Sequence, residues 1–167
     1  YVNTIRRYLS SFFSWIHAEG FIDHNPVVRI KAVKEESKIK MPLTEDELEM
    51  IRAHCHTNRD RAIVEFLYST GCRVSEMLGV RREDLDLNQC QVDVVGKGRK
   101  HRMVYLSSRC KMTICAYLDE RTDDHPSLFV TDGGGFGPPK EMQTLTTSGV
   151  RSILGRLGRA AEISNVH

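Results

Sequence analysis

A glycine turn in the middle of the chain, at Gly71, is the sequence feature that most restricts the fold. Glycine adopts positive φ without steric cost, so we expect Gly71 to end the helix that precedes it. Residues 74–80 are mostly apolar and predict a short, buried helix directly after the turn. Arg73 lies between the turn and this apolar run, and a buried charge without a partner is strongly disfavoured. The sequence therefore predicts that Arg73 is held in place to meet an anion.

The periodicity of apolar residues predicts a mostly helical protein with one small antiparallel hairpin. Apolar residues recur at the three- and four-residue spacing of helices in five segments, at residues 4–19, 44–55, 59–69, 108–121 and 147–161. Thr44 and Glu47 have the spacing of a capping box at the start of the second segment. A valine-rich stretch before Gly96 and the apolar residues 103–106 after Gly98 predict two strands within residues 90–106.

Three finer predictions concern the second half of the chain. On the helix at 108–121, we expect an apolar face of Met112, Cys115 and Leu118. Residues 128–130 are apolar and predict a short strand. The glycine-rich stretch at 133–139 is expected to be a flexible loop and not a phosphate cradle, because no strand and helix enclose it.

We expect two domains joined by a charged linker. Residues 1–33 contain one amphipathic helix, which cannot bury its apolar face alone, so we interpret them as the C-terminal part of a helical domain that begins earlier. Residues 34–41 are charged and aperiodic, which predicts the linker, and residues 42–167 form the second domain. The linker is either simply solvated or contacts the phosphates of a nucleic acid through its lysines.

The composition restricts the kind of function. The formal net charge is only +2, so a nucleic-acid binder of this composition must cluster its basic residues. Five cysteines without a Cys-x-x-Cys pair indicate reduced thiols, and His54 and His56 diverge from Cys55 on a helix, which disfavours a zinc site. The sequence has neither an apolar run of transmembrane length nor a signal-peptide pattern, so we expect a cytoplasmic protein without a membrane partner.

The densest basic cluster lies at the turn of the predicted hairpin. Within six positions the turn carries Lys97, Arg99, Lys100, His101 and Arg102. One interpretation is a charged hairpin tip that prevents edge-to-edge association of strands, and the other is a group of phosphate contacts. The turn is not a Walker A loop, because no Ser or Thr follows the lysine and the glycine spacing is too short.

Four parts of the sequence together resemble the tyrosine recombinase family, also called the phage integrases. The run Thr70–Glu76 resembles the first catalytic box of the family, and the turn Gly96–Arg102 resembles its lysine-bearing β-turn. The arginine and the lysine of these motifs are 24 residues apart, which fits the family. Residues 43–48 resemble the opening of its catalytic domain, and residues 1–33 resemble the end of its core-binding domain. The resemblance implies an α+β fold, with a helical, SAM-like domain before a catalytic domain that contains a small sheet.

The resemblance implies an enzyme that cuts and rejoins DNA through a 3′-phosphotyrosyl intermediate, with no metal or other cofactor. A tyrosine would attack a phosphodiester and release a 5′-hydroxyl. Arg73 would be the first catalytic arginine and would hold the phosphate oxygens. Lys97 would protonate the leaving 5′ oxygen as general acid. Glu76 would support the active-site arginines, and the alternative is that it pairs with a neighbouring surface charge.

The sequence departs from the family in the second half of the site. After the last predicted helix it contains no His-x-x-Arg, and His167 does not match the histidine of that box. The five tyrosines are expected in helices or strands away from the site, at Tyr1, Tyr8, Tyr68, Tyr105 and Tyr117. We therefore expect the chain to be a fragment that is inactive by itself, with the nucleophilic tyrosine beyond residue 167.

The resemblance further implies double-stranded DNA as the partner, bound by a homotetramer that joins two duplexes. The residues expected to contact phosphates are, in the first domain, Arg6, Arg7 and Lys31 and, at the hairpin, Arg99, Lys100 and Arg102. The implied function is the integration or excision of a mobile element. Two alternatives remain: a non-catalytic DNA-binding or architectural module of the same fold, and an unrelated helical regulator in which the spacing of Arg73 and Lys97 is a coincidence.

Overall fold

The computed structural model describes residues 1–34, 41–131, 142–163 and 166. The chain divides into two units, Tyr1–Lys40 and Met41–His167. Most of the linker predicted at 34–41, the glycine-rich loop at 133–139 and His167 lie outside the described residues. Within the described residues, no helix is both long enough and apolar enough to cross a bilayer.

The first unit is built on one long helix whose apolar side is exposed. This helix, α1 (Val2–Ala18), is followed by Gly20 with φ +77° and confirms the first predicted helix. All of α1 is described and none of its residues is buried; Phe12, for example, is 52% exposed. The segment after α1 is held to it by Asn3, which exchanges two hydrogen bonds with the backbone of Val33, at 2.8 and 2.9 Å. The apolar pattern therefore identifies the helix correctly, but this unit does not bury it.

The second unit combines helices with a three-stranded sheet. In chain order its described elements are α2 (Glu45–Ala53), α3 (Asn58–Thr70), α4 (Val74–Leu78), a one-turn 3₁₀ helix (Arg82–Asp84), β1 (Leu85–Asp86), β2 (Gln91–Val95), β3 (His101–Tyr105), α5 (Ser108–Glu120) and α6 (Thr147–Ala160). The mixture of helices and a small antiparallel sheet confirms the predicted α+β fold class. The predicted helices and hairpin are present, and the 3₁₀ helix and β1 were not predicted.

Side-chain caps explain where the helices of the second unit begin. The hydroxyl of Thr44 accepts a hydrogen bond from the Glu47 amide at 3.2 Å, and the Glu47 carboxylate accepts one from the Thr44 amide at 2.8 Å. The predicted capping box is therefore confirmed. Thr57, Ser107 and Thr146 cap α3, α5 and α6 in a similar way, each accepting a bond from the amide three residues later. These caps satisfy amides that have no partner within the first turn of a helix.

The sheet is antiparallel, in the order β1-β2-β3. Val92 and Val94 of β2 are buried, and they pair with Val104 and Arg102 of β3. Because side chains alternate between the two faces of a strand, Arg102 lies on the inner face of the sheet with the valines. Its neighbours on either side along β3 lie on the outer face.

The strand predicted at 128–130 is wrong. Among the described residues, its only pairing is an isolated bridge between Val130 and Thr144. The amide of Leu128 instead donates to the carbonyl of Val80, at 2.9 Å. The segment thus bonds to different partners on its two sides and starts no ladder, although its three residues are buried in the core.

The core of the second unit packs around Phe129. Its ring meets Phe66 edge-on with the centroids 5.6 Å apart, and it stacks on Tyr117 of α5 with the centroids 5.8 Å apart. The buried residues of α5 are Cys110, Ile114 and Tyr117. The predicted apolar face is wrong at Met112, which is 71% exposed. Both faces have helical spacing, but only the face with Tyr117 supplies an aromatic ring to the core.

Gly71 provides a test of the turn between α3 and α4. It ends α3 with φ +58°, as predicted, and a Cβ added there would meet no atom within 4 Å. The cost of Gly71→Ala is therefore that of the left-handed backbone alone, and we expect the free energy of unfolding to fall by about 1 kcal/mol. Gly79→Ala is the matched control, because Gly79 has φ −80°, which alanine adopts freely. Urea denaturation measures both variants, and equal stabilities would contradict this role of Gly71.

Candidate active site

Arg73 lies at the junction between two helices of the second unit. Gly71 ends α3, and Arg73, with an extended backbone at φ −70° and ψ 150°, is the residue that precedes α4. Its carbonyl accepts the first backbone hydrogen bonds of α4, from the amides of Glu76 and Met77 at 2.9 Å each. The backbone of Arg73 is therefore fixed on both sides.

The side chain of Arg73 is exposed, so the expectation of a buried charge is wrong. The exposed fraction of the side chain is 76%. The reason is its position before α4, because Met77, one turn later, is the residue that fills the core with no exposed surface. Arg73 does meet an anion, since its Nη1 donates to Oε1 of Glu76 at 3.1 Å. A guanidinium has five N–H donors, so most of this one stays open to a second anion.

Glu76 is the buried charge of the site. Its side chain is 4% exposed. Oε1 accepts hydrogen bonds from Nη1 of Arg73 and Nη1 of Arg102, both at 3.1 Å. Oε2 accepts from the backbone amide of Arg73 at 2.8 Å and from Nη2 of Arg102 at 2.7 Å. The bond to Arg102 is therefore bidentate, the arrangement in which guanidinium and carboxylate match best.

These donors keep Glu76 ionised despite its burial. The hydrogen bonds from Arg102, and then that from the Arg73 amide, lower the pKa of Glu76 from 4.5 to about 2, against the opposing effect of burial. The same contact raises the pKa of Arg102 above its ordinary value. At neutral pH the cluster consists of one carboxylate between two guanidinium groups, and it carries a net positive charge.

The turn between β2 and β3 presents Lys97 to solvent. The amide of Gly96 donates to the carbonyl of Lys100 at 2.8 Å and closes the turn. Gly98 and Arg99 within it have positive φ, +76° and +57°. Lys97 is exposed in this turn.

Gly96 brings the hairpin close to the cluster around Glu76. A Cβ added to Gly96 would lie 3.2 Å from Nη1 of Arg102 and 3.4 Å from Oε1 of Glu76. Few Cβ atoms have contacts that short, so a residue without a side chain suits this close approach. Lys97 follows Gly96 directly, and Arg73 bonds to the same carboxylate. The structure thus brings together Arg73, Glu76, Arg102 and the base of the turn that carries Lys97.

The basic residues predicted to contact phosphates at the hairpin differ in orientation. Arg99 and Lys100 are exposed in the turn. Arg102 instead bonds to Glu76 from the inner face of the sheet, and its side chain is 43% exposed. In the sequence these residues form one basic cluster, and the pair of Arg102 with Glu76 was not predicted. The sequence does contain a pattern that indicates the inward orientation of Arg102, because Arg102 is in register with the alternating valines of the hairpin.

The basic residues of the first unit also differ. Arg7 and Lys31 are exposed. Arg6 is partly buried, and its Nη1 donates to the carbonyl of Ile30 at 3.2 Å. Part of the hydrogen-bonding capacity of Arg6 therefore holds this unit together.

The tyrosines occupy helices or strands as predicted, except Tyr1, which precedes α1. Tyr117 is buried, its hydroxyl accepts a hydrogen bond from the Val130 amide at 3.2 Å, and burial raises its pKa. Tyr68 is 55% exposed, and its hydroxyl donates to Glu45 at 3.4 Å. In the part of the chain that the structure describes, no tyrosine hydroxyl is hydrogen-bonded to Glu76 or Arg73.

The environment of Cys55 disfavours metal binding by its thiol. Its Sγ donates to the Ile51 carbonyl at 3.4 Å, and burial raises its pKa to about 11. A metal ligand must be a thiolate, which such an environment disfavours. Among the described residues, no three side chains of His, Cys, Asp or Glu form a group that could hold a metal ion.

Comparison with known proteins identifies the class of protein that this fold belongs to. The model of the phage integrase family matches residues 24–167. The chain therefore belongs to the phage integrase family of tyrosine recombinases.

Among curated relatives, the tyrosine recombinase XerC of Thermodesulfovibrio yellowstonii is 39% identical over 123 residues, which cover 69% of this chain and 41% of the relative. The tyrosine recombinase XerC of Staphylococcus carnosus is 32% identical over 169 residues, which cover 95% of this chain and 54% of the relative. The chain thus spans about half the length of the curated relatives that it matches.

Solved structures show the same fold. The XerA recombinase has a TM-score of 0.66 and 29% identity, over 79% of this chain and 47% of that one. A lambda integrase dimer bound to a COC′ core site has a TM-score of 0.75 and 22% identity, over 97% of this chain and 58% of that one. At that identity, the likeness to lambda integrase shows the fold alone.

The depressed pKa of Glu76 leads to a prediction about stability and pH. Because the pKa in the folded state is about 2, Glu76 contributes fully to stability above pH 4.5, and this contribution is lost as the pH falls through about 2. Glu76→Gln should therefore be less stable than the wild type at about pH 7, and the difference should shrink between pH 4.5 and about 2.

Thermal denaturation over a pH series measures this difference. Glu83→Gln is the control, because Glu83 is 70% exposed in a surface ion pair with Arg81 and should contribute little. A stability difference for Glu76→Gln that stays constant down to about pH 2 would show that the ionised carboxylate is not what stabilises the cluster.

Proposed function

We propose that this chain is part of a site-specific recombinase that cuts and rejoins double-stranded DNA through a 3′-phosphotyrosyl intermediate. The observation that carries the proposal is the exposed guanidinium of Arg73, which is held by the buried carboxylate of Glu76. Such a donor is oriented in advance and permanently charged, yet it remains accessible. These properties suit the stabilisation of a phosphate that gains negative charge during reaction.

In the proposed reaction, a tyrosine oxygen attacks the phosphorus of a phosphodiester, and its phenolic proton passes to a water molecule. A bond forms between this oxygen and phosphorus, and the bond from phosphorus to the 5′ oxygen breaks. Arg73 stabilises the charge on the non-bridging oxygens. Lys97 transfers a proton to the 5′ oxygen, which leaves as a hydroxyl. Rejoining is the reverse of these steps.

We propose that a part of the protein outside residues 1–167 supplies the nucleophile. Tyr117, which is buried and hydrogen-bonded to the backbone, and Tyr68, which lies on α3, are poor candidates. The first unit would be the end of a core-binding domain, and the second would be most of the catalytic domain up to the second box.

The proposed partner is duplex DNA, bound by four copies of the protein on two duplexes. Exposed basic residues of both units, Arg7, Lys31, Arg99 and Lys100, would contact backbone phosphates. The proposed number of copies is that of a structural neighbour with 22% identity, a lambda integrase tetramer bound to a Holliday junction.

The role in a mobile element stays a prediction. Structural neighbours that are integrases of mobile elements, such as the integrase of the Tn1549 transposon at 20% identity, support the fold alone. The curated relatives are recombinases named XerC and XerD. The integrases and the XerC and XerD recombinases belong to one family, so we propose only what they have in common, the breakage and rejoining of DNA strands.

The role of Arg73 can be tested with the full-length protein and nicked suicide DNA. The wild type should form a covalent adduct in the presence of a metal chelator. Arg73→Ala should slow adduct formation by about 10²–10³-fold, the usual effect of removing one preorganised donor. Arg81→Ala is the control, because Arg81 forms an exposed ion pair with Glu83.

Two outcomes of this experiment would contradict the proposal. A normal adduct yield in Arg73→Ala would show that Arg73 takes no part in the reaction. Binding of DNA without any adduct in the wild type would identify the alternative, a non-catalytic DNA-binding module.

Phosphate contact by the hairpin can be tested by the salt dependence of DNA binding. Arg99→Asn removes the charge while keeping a residue that tolerates the positive φ of this position. If Arg99 contacts one phosphate, the slope of log affinity against log salt should decrease in magnitude by about 1. Fluorescence anisotropy measures this slope, and a slope equal to that of the wild type would exclude the contact.

A further inference from the structure

Arg102 differs from the other basic residues of the hairpin because its side chain faces inward. It is paired across the strands with Val94, which is buried. Arg99 and Lys100, by contrast, lie in the turn and not on a strand. A side chain on the inner face of a strand is directed at the element beneath the sheet, which here is the start of α4.

The contact of Arg102 with Glu76 fixes orientation as well as distance. Two nitrogens of the guanidinium bond to the two carboxylate oxygens, at 3.1 and 2.7 Å. Such a fork requires the two planar groups to be nearly coplanar. A lysine at this position would supply the same charge as a single, rotatable ammonium group and would not fix the plane.

The backbone of the hairpin rests against this ion pair. A Cβ built on Gly96 would lie 3.2 Å from Nη1 of Arg102 and 3.4 Å from Oε1 of Glu76. Lys97 is the next residue in the chain. The fork therefore restrains the point from which the lysine side chain begins.

We propose that Arg102 is a positioning residue: through Glu76 it ties the hairpin that carries Lys97 to the turn that carries Arg73. This inference rests on the proposed function for the roles of Lys97 and Arg73. Because both arginines bond to one carboxylate, the proton donor and the phosphate-binding group share a single anchor. The role replaces the phosphate contact that the sequence predicted for Arg102.

The inference predicts which step depends on Arg102. Without the fork, Glu76 keeps its bonds to Arg73, but the hairpin loses its anchor and Lys97 occupies the protonating position less often. The transfer of a proton to the 5′ oxygen should slow. Phosphate binding by Arg73 and the affinity for DNA should change little, provided that the positive charge at position 102 is kept.

Arg102→Lys in the full-length protein tests this directly, since it keeps the charge and removes the fork. Its affinity for DNA should stay within about 2-fold of the wild type. At saturating nicked DNA, its single-turnover cleavage should slow by at least about 10-fold. A substrate with a bridging sulfur at the 5′ position should restore the rate to within a few-fold of the wild type, because sulfur leaves without a proton.

Two further variants are the positive and the negative control for these cleavage rates. Lys97→Ala should show the same slow cleavage and the same rescue by sulfur, since it removes the proton donor itself. Arg81→Lys is the matched substitution in an exposed arginine–glutamate pair outside the site, and it should cleave both substrates at the rate of the wild type.

Two results would overturn the inference. If Arg102→Lys cleaves ordinary DNA at the rate of the wild type while Arg102→Ala weakens binding, Arg102 is a phosphate contact. If Arg102→Lys is slow on both substrates, it acts on the general structure or on Arg73 and not through Lys97.

A second variant and a second measurement apply if Arg102→Lys folds poorly. Gly96→Ala adds one methyl group against the ion pair, and it should produce a milder slowing that sulfur also rescues.

Hydrogen exchange of the Gly96 amide, which bonds to the Lys100 carbonyl in the intact turn, should be faster in Arg102→Lys and unchanged in Arg81→Lys. Equal exchange in Arg102→Lys and the wild type would overturn the anchor. If the wild type forms no adduct, the proposed function is overturned. Whether Arg102 ties the hairpin to Glu76 is then decided by the hydrogen-exchange measurement alone.

Discussion

The carboxylate of Glu76 is the group on which the rest of the site depends. A buried charge is tolerated only when partners replace its lost hydration, and Glu76 obtains them from two arginines and one backbone amide. The backbone amide and the side chain of Arg73 belong to the turn after α3, and Arg102 belongs to the hairpin. The need to satisfy one carboxylate therefore holds together parts of the chain that are about 30 residues apart.

Buried carboxylates serve a different purpose elsewhere in the second unit. Glu65 of α3 accepts from Arg52 of α2 at 2.6 and 2.9 Å, and Asp60 of α3 accepts from Arg156 of α6 at 2.7 Å. These pairs join helices to one another. The Glu76 cluster differs in degree: Arg73 is 76% exposed, compared with 48% for Arg156 and 14% for Arg52, and it keeps free donors for another anion. A structural ion pair and an exposed, oriented guanidinium are thus combined around one residue.

Local chemistry could be predicted from the sequence wherever neighbouring residues decide the structure. The capping box of Thr44 and Glu47, the positive φ of Gly71 and the two strands of the hairpin follow from short-range rules, and all are confirmed. The face of α5 could not be predicted, because two stripes with helical spacing compete and the choice depends on the distant ring of Phe129. The exposure of Arg73 was also misjudged, since apolar neighbours in sequence do not determine the direction of a side chain before a helix.

The residues of the candidate site could be singled out from the sequence, but the contacts between them could not. The motifs singled out Arg73, Glu76 and Lys97, whose roles stay predictions, whereas the bond of Arg102 to Glu76 depends on the register between strands and on what lies beneath the sheet. Strand alternation with Val92 and Val94 would have placed Arg102 on the inner face. Its partner could not be inferred without the three-dimensional contact, because Glu76 precedes it by 26 residues.

The most direct test is an NMR titration of the side-chain carboxyl of Glu76 in the wild type and in Arg102→Gln. If two arginines share this carboxylate, its chemical shift should not change from neutral pH down to about pH 3, in keeping with a pKa of about 2. In Arg102→Gln the pKa should rise, because the strongest donor has been removed. A pKa near 4.5 in the wild type, or the same pKa in both proteins, would contradict the shared anchor.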